Sequence, residues 1–187
     1  MPIIHPPISQ LQMIWPERLL DSPPKIVIPP GYSLRTYQPG DETRFFEIME
    51  LAGWPGWDDA RLRPWLYRIL PDGWFMVVED KTHQIAATCM ATHDPTWIHP
   101  FCGELAWLAT DPAYTGRGFG TAVAASVTGR FLEVGYRRIH FYTEYYRLAA
   151  IKIYLRLGYV PYLDPPEVSS VWEDIFTKLG QNFSARP

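Results

Sequence analysis

The most constraining feature of this chain is a set of three glycines within five residues, at 116, 118 and 120, lying between an apolar stretch and a helical pattern. Gly103–Thr110 carries Leu105, Ala106, Trp107, Leu108 and Ala109, apolar on both faces, as expected of a central strand covered from both sides. Beyond the glycines, Val123, Ala124, Val127, Phe131 and Val134 recur at helical spacing, and Gly135 supplies a stop. Glycine lets the backbone come close to a ligand. The unpaired N–H groups and dipole of a helix N-terminus favour an anion, typically phosphate. A tight strand-to-helix turn without a ligand is the alternative. Two familiar phosphate loops are excluded. No Gly-Lys-Ser/Thr closes the turn, and the spacing is not G-x-G-x-x-G on a first strand.

The flanking pattern is regular from Tyr32 onward. Tyr32–Tyr37 alternates like a strand, and Asp41 is placed to cap a helix over Glu42–Ala52. Asp58 opens a second helical stretch in which Leu62, Trp65, Leu66 and Ile69 share a face, ended by Pro71-Asp72-Gly73. Trp74–Glu79 and Gln84–Thr92 read as a hairpin, followed by a loop with Pro95 and Pro100. After the glycine turn and its helix come a strand over Arg138–Thr143 and a helix over Leu148–Leu157 ended by Gly158. A short extended piece, Tyr159–Tyr162, and a docking helix over Val168–Leu179 complete the pattern. This order predicts an α+β fold, an α/β sandwich around one mixed, twisted sheet with helices on both faces.

Composition narrows the function. The 187 residues are 47% hydrophobic, enough for one packed domain. Net charge is −3 and no basic run exceeds Arg137–Arg138, which argues against a nucleic-acid partner. No apolar stretch approaches the roughly 20 residues that cross a bilayer, and the first twenty residues lack the basic start of a secretory signal. Cys89 and Cys102 are too few for a disulfide framework and read as buried free thiols. A cytoplasmic protein is expected. His93, His99 and His140 lack ligand spacing, so no metal is expected. Eight of nineteen prolines fall in residues 1–30, so residues 1–31 are expected to form an extended arm without a long helix or central strand. That arm is expected to pack on the domain formed by residues 32–187 or on a second subunit, as in a homodimer, with a mobile tail as the plainer alternative.

Glu104 through Pro161 resembles the core of the GNAT superfamily of acyl-CoA-dependent N-acetyltransferases. The family loop Arg/Gln-x-x-Gly-x-Gly/Ala compares with Thr115-Gly-Arg-Gly118-Phe-Gly120. Its later helix, Asn-x-x-Ala-x-x-x-Tyr-x-x-x-Gly-Phe, compares with Arg147-Leu-Ala-Ala150-Ile-Lys-Ile-Tyr154-Leu-Arg-Leu-Gly158-Tyr159. Thr115 and Arg147 depart from the usual residues.

The resemblance implies acetyl transfer from acetyl-CoA to a primary amine, a small molecule or a peptide, by direct attack in a ternary complex. It places the cofactor pyrophosphate on the backbone of Thr115, Gly116, Arg117, Gly118, Phe119, Gly120 and Thr121, with the pantetheine along Leu108 and Thr110 and near Arg147. Glu104 then takes the role of general base, with Glu144 or an ordered water in reserve, and Tyr154 that of general acid. Trp54, Trp57, Trp65 and Trp97 fall near the acceptor pocket of such a fold, with core packing as their plainer explanation. A longer acyl-CoA, or a module that binds acyl-CoA without chemistry, remain the alternatives.

Overall fold

The computed structural model describes residues 10–96 and 99–183. Residues 1–9 and Trp97, which entered the expectations above, lie outside them. Seven strands form one sheet in the order β2-β3-β4-β5-β6-β1-β7. They are β1 (Gln10–Ile14), β2 (Tyr32–Thr36), β3 (Ile69–Glu79), β4 (Ile85–His93), β5 (Gly103–Thr110), β6 (Ile139–Glu144) and β7 (Val160–Pro161). All neighbours are antiparallel except β5 and β6, so the sheet is mixed. Among the described residues, five helices cover it: α1 (Glu42–Leu51), α2 (Asp59–Leu66), α3 (Phe119–Glu133), α4 (Leu148–Leu157) and α5 (Val168–Lys178). None is long and apolar enough to cross a membrane.

Phe45, Ile48 and Met49 of α1 and Leu62 of α2 pack on one face, against Trp74, Met76 and Met90. On the other face, Val123, Val127 and Phe131 of α3, Ile151 of α4 and Trp172 of α5 meet Val77, Leu105 and Phe141. The expected α+β architecture with helices on both faces is the observed one. Cys89 and Cys102 are buried free thiols.

Three local expectations are corrected. The proline-rich stretch does hold an interior strand: β1 lies between β6 and β7, pairing Gln10 with Glu144 and Ile14 with both His140 and Val160. No proline falls between Pro7 and Pro16, so every ladder donor in β1 is intact. Its alternation buries Leu11 and Met13 completely, each contributing about 1.5–3 kcal/mol relative to an exposed side chain. Ile69 belongs to β3 rather than to the face of α2, which ends at Leu66 just after an internal Pro64. Pro71-Asp72-Gly73 therefore does not end a helix but forms an irregularity inside β3, between Ile69 and Trp74, with Asp72 at φ 53°. Asp41 does not cap α1 with its side chain. Its carboxylate instead holds Arg35 at 2.7 and 2.8 Å and accepts from Gln38 N–H. Asp58 does cap α2, accepting from Arg61 N–H at 2.8 Å.

Candidate active site

The site begins where the sheet comes apart. β5 and β6 are register partners only at Gly103–Ile139 and Glu104–His140. Beyond Glu104 the strands diverge, and the β6-facing edge of β5 loses its partner. On its other side β5 carries a bulge against β4, with Trp107 at φ 53°. The gap is a cleft of about 950 Å³ that runs from Glu104 past Leu108 and Thr110 to the glycine turn and is walled by α4 through Ala150, Ile153 and Tyr154.

The glycine turn is built to bring backbone up to that cleft. Asp111 accepts from Ala113 N–H at 2.8 Å and pairs with Arg44 of α1, which also donates to Ile85 O. Thr115 Oγ1 donates to Pro112 O at 3.0 Å. Gly116 and Gly118 take φ 78° and 85°, a region that disfavours any side chain. Gly118 is the N-cap of α3, so the first N–H groups of the helix have no helical acceptor. Gly120 has ordinary backbone, but a Cβ there would come to 3.3 Å of Thr110 Oγ1, 3.5 Å of Ile153 Cδ1 and 3.8 Å of Leu108 Cδ2. Phe119 is buried beneath the turn against Tyr32, and Thr121 lines the cleft. Arg117 extends away from the turn, donating to Tyr32 Oη at 2.5 Å with its guanidinium 5.4 Å from the Tyr114 ring centre.

Glu104 stands at the point of divergence, with its side chain 17% exposed. Burial, and next the charge of Asp94, push its carboxyl up to about 7, against the opposite pull of Arg68. Tyr154 lines the cleft from α4, its ring centre 4.0 Å from that of Phe141. Burial drives its phenol well above the usual tyrosine value, so the proton stays on oxygen. Arg147, at the start of α4, forms an ion pair with Glu144 at 2.9 Å and lies 4.2 Å over the Trp54 ring. It lines the cleft, as does Glu144.

Trp107 is the hub of an aromatic cluster that sequence periodicity does not show. Trp54, Trp57 and Trp65 all meet its ring edge-to-face, at 5.7, 4.6 and 5.1 Å. Trp54, Trp65 and Trp107 line the cleft, whereas Trp57 is buried behind them against Phe45. Arg68 and Asp94 are also unanticipated participants. Arg68 Nη2 lies 2.5 Å from Asp94 Oδ1 and 3.1 Å from Glu104 Oε2. Arg68 lies 36 residues before Glu104 and Asp94 in the connection from β4 to β5, and no local spacing signals either of them.

A family model for the acetyltransferase (GNAT) family matches residues 41–159. Curated relatives of the chain carry the name mycothiol acetyltransferase, and two of them illustrate the match. The one from Rhodococcus erythropolis is 28% identical over 81% of this chain and 55% of its own length. The other, from Mycobacterium sp. (strain MCS), is 30% identical over 80% of this chain and 51% of its own length. The chain thus spans about half the length of the curated relatives it matches. Among solved structures, a GCN5-related N-acetyltransferase from Sphaerobacter thermophilus is 25% identical. It superposes with a TM-score of 0.66 over 82% of this chain and 48% of that one.

Proposed function

The chain belongs to the acetyltransferase (GNAT) family, and from that membership we propose that it transfers the acetyl group of acetyl-CoA to a primary amine by direct attack in a ternary complex. The observation that carries this reading is the abrupt end of β5–β6 pairing at Glu104, beside a helix start whose turn is held open by Gly118. An extended pantetheine fits the freed edge of β5 at Leu108 and Thr110 as an added strand would. A pyrophosphate fits the orphan N–H groups from Gly116 to Thr121. A Cβ at Gly120 would crowd Thr110 Oγ1 at 3.3 Å and touch Ile153 Cδ1 at 3.5 Å, so glycine there keeps this end of the cleft open to a ligand.

The chemistry then needs a neutral amine and a leaving thiolate that gains a proton. A primary ammonium has a pKa near 10, so a base positioned to take its proton gains about 10²–10⁴ in rate. Glu104, largely buried at the cleft wall and less acidic than an ordinary glutamate, supplies that base. Tyr154, which keeps its proton, supplies a hydrogen bond or the proton itself to the departing sulfur. The relatives named mycothiol acetyltransferase support a small-molecule acceptor. The tryptophan-lined end of the cleft beside Glu104 supports an acceptor that presents an apolar or aromatic face to Trp54 and Trp65.

A thermal melt with and without acetyl-CoA tests the reading. Ligand at about a hundred times its dissociation constant adds roughly 2.7 kcal/mol, a shift of several degrees in a domain of this size. The shift is expected in the parent and absent in Gly118→Asp, after which a panel of primary amines is screened for turnover. No shift in the parent overturns the proposal.

A further inference from the structure

Beneath Glu104 lies a chain of polar groups that acetyl transfer as described above does not use. Arg68, between α2 and β3, is anchored by its Nε on His93 O at 3.2 Å and by its guanidinium on the Trp65 ring at 4.7 Å. So fixed, it offers a single nitrogen, Nη2, to two carboxylates: Asp94 at 2.5 Å and Glu104 at 3.1 Å. Asp94 is itself held. Its backbone N–H donates to Cys102 O at 2.8 Å, and its second oxygen lies 3.2 Å from His140 Nε2, off the line of a hydrogen bond. His140 Nδ1 is 3.0 Å from Cys102 Sγ. The imidazole is buried, and burial keeps it below its ordinary value and therefore neutral at pH 7.

A cation facing one carboxylate would stabilise its ionised form and make it a weak base. Arg68 faces two, and it is nearer to the one that is not on the cleft. We propose that Asp94 is a positioning residue for the amine deprotonation: it occupies the charge of Arg68, so that Arg68 fixes the direction of the Glu104 carboxylate without rendering it too stable to accept a proton. This inference rests on Glu104 being the base.

Every element around Glu104 agrees with the assignment. β4 contributes Thr92, whose hydroxyl is spent on Glu104 O, and His93, whose Nδ1 is paired with Tyr136 Oη at 2.8 Å. β6 contributes neutral His140 and the half-exposed phenol of Tyr142. The segment leading into β5 contributes Cys102, whose thiol burial pushes up to about 11. His99 and Arg138 act on His140 and Cys102 from further out. Among the described residues, Arg68 and Asp94 are therefore the two charges directly on Glu104, and they have opposite signs.

Opposite signs make opposite predictions. In full-length protein labelled with ¹³C at glutamate carboxyls, the Glu104 signal is assigned by its loss in Glu104→Gln and followed from pH 4 to 9 without substrate. Asp94→Asn is expected to lower the Glu104 midpoint by about one pH unit or more, because the whole charge of Arg68 then falls on Glu104. Arg68→Gln is expected to raise it by a similar amount, and Arg68→Lys, which restores a cation, to return it toward the parent value. A midpoint that stays put in Asp94→Asn, or that moves in the same direction in Asp94→Asn and Arg68→Gln, overturns the proposal; a generic packing defect moves both the same way. The premise fails separately. Full turnover in Glu104→Gln with any amine of the panel removes the base, whatever the titrations show, and with it the task assigned to Asp94.

Discussion

Gly103 lies directly under the ring of Phe131: a Cβ on the glycine would stand 2.4 Å from Cε1 and 2.6 Å from Cδ1. The contact joins the first residue of β5 to α3 at the position preceding Glu104, so Glu104 is set on a strand end clamped by the helix into which the glycine turn leads. Gly103→Ala is expected to cost about 1–3 kcal/mol through overpacking and to lower the melting temperature by several degrees. Phe131→Leu in the same chain should recover part of the loss. A Gly103→Ala protein with the parent melting temperature would show that the ring moves aside freely.

The rate of acetylation should carry an acid limb. As the proposed base, Glu104 must be ionised to accept a proton, and burial pushes its carboxyl up to about 7, so kcat/KM, which reports the groups of the free protein, should bend there and fall by a further tenfold per pH unit below that value. Glu104→Gln should remove the limb and about 10²–10⁴ of the rate while leaving the acetyl-CoA melt shift intact. The linkage sign follows. The folded state binds this proton more tightly than the unfolded chain, so the residue's contribution to stability diminishes as pH rises from the ordinary glutamate range through about 7.

Tyr154→Phe separates chemistry from packing. Tyr154 Oη makes no hydrogen bond among the described residues, while the ring is buried against Phe141. Its removal should leave the melting temperature within about 1–2 °C of the parent, a stability change inside ±0.5 kcal/mol. It should lower kcat by about 10²-fold or more with acetyl-CoA affinity unchanged. A variant that melts like the parent and turns over like it would reduce Tyr154 to a core aromatic.

Gly120 tests the proposed cradle without touching Glu104. Gly120→Ala requires only that Thr110 Oγ1, 3.3 Å from the new Cβ, yield by a few tenths of an ångström, and acetyl-CoA should still shift the melt. Gly120→Leu projects a branched side chain between Thr110, Leu108 and Ile153. It should abolish the shift while keeping the helical and strand signals of circular dichroism. Calorimetric titration of both variants with acetyl-CoA reads the difference directly.

β1 should matter to stability as much as any strand. Met13→Ala, at a wholly buried position, is expected to cost about 2–5 kcal/mol. Its neighbour Gln12→Ala, on the opposite face of the same strand, should stay within about 0.5 kcal/mol. Equal melting temperatures for the two variants would contradict the register of β1 in the sheet.

Several elements are legible in the sequence because their cause is local. The strand-turn-helix around Gly118 follows from an apolar run, glycines and a 3.6-residue period, and α4 with its left-handed Gly158 cap follows from the same kind of pattern. Eight prolines around a five-residue alternation hide β1, because the propensity of the neighbours outweighs so short a signal. Ile69 keeps helical phase with Leu62 and Trp65, yet the tertiary pull of β4 takes it into a strand. In the cleft, Glu104 and Tyr154 are marked by their placement relative to motifs. Arg68 and Asp94 are not, since only the fold brings the two segments to Glu104, and the bulge that turns Trp107 into the centre of three tryptophans leaves no trace in the alternation of β5.

The position of β1 has a kinetic consequence. Its partners in β6 lie roughly 130 residues further along the chain, and pairings of such separation are slow to form because loop closure precedes any gain from contact. Until β1 arrives, β6 presents a row of open amides and carbonyls, the template on which another chain can add. Docking of this one short strand is thus where refolding and aggregation are expected to compete, and refolding yield should fall with protein concentration more steeply in Met13→Ala than in Gln12→Ala.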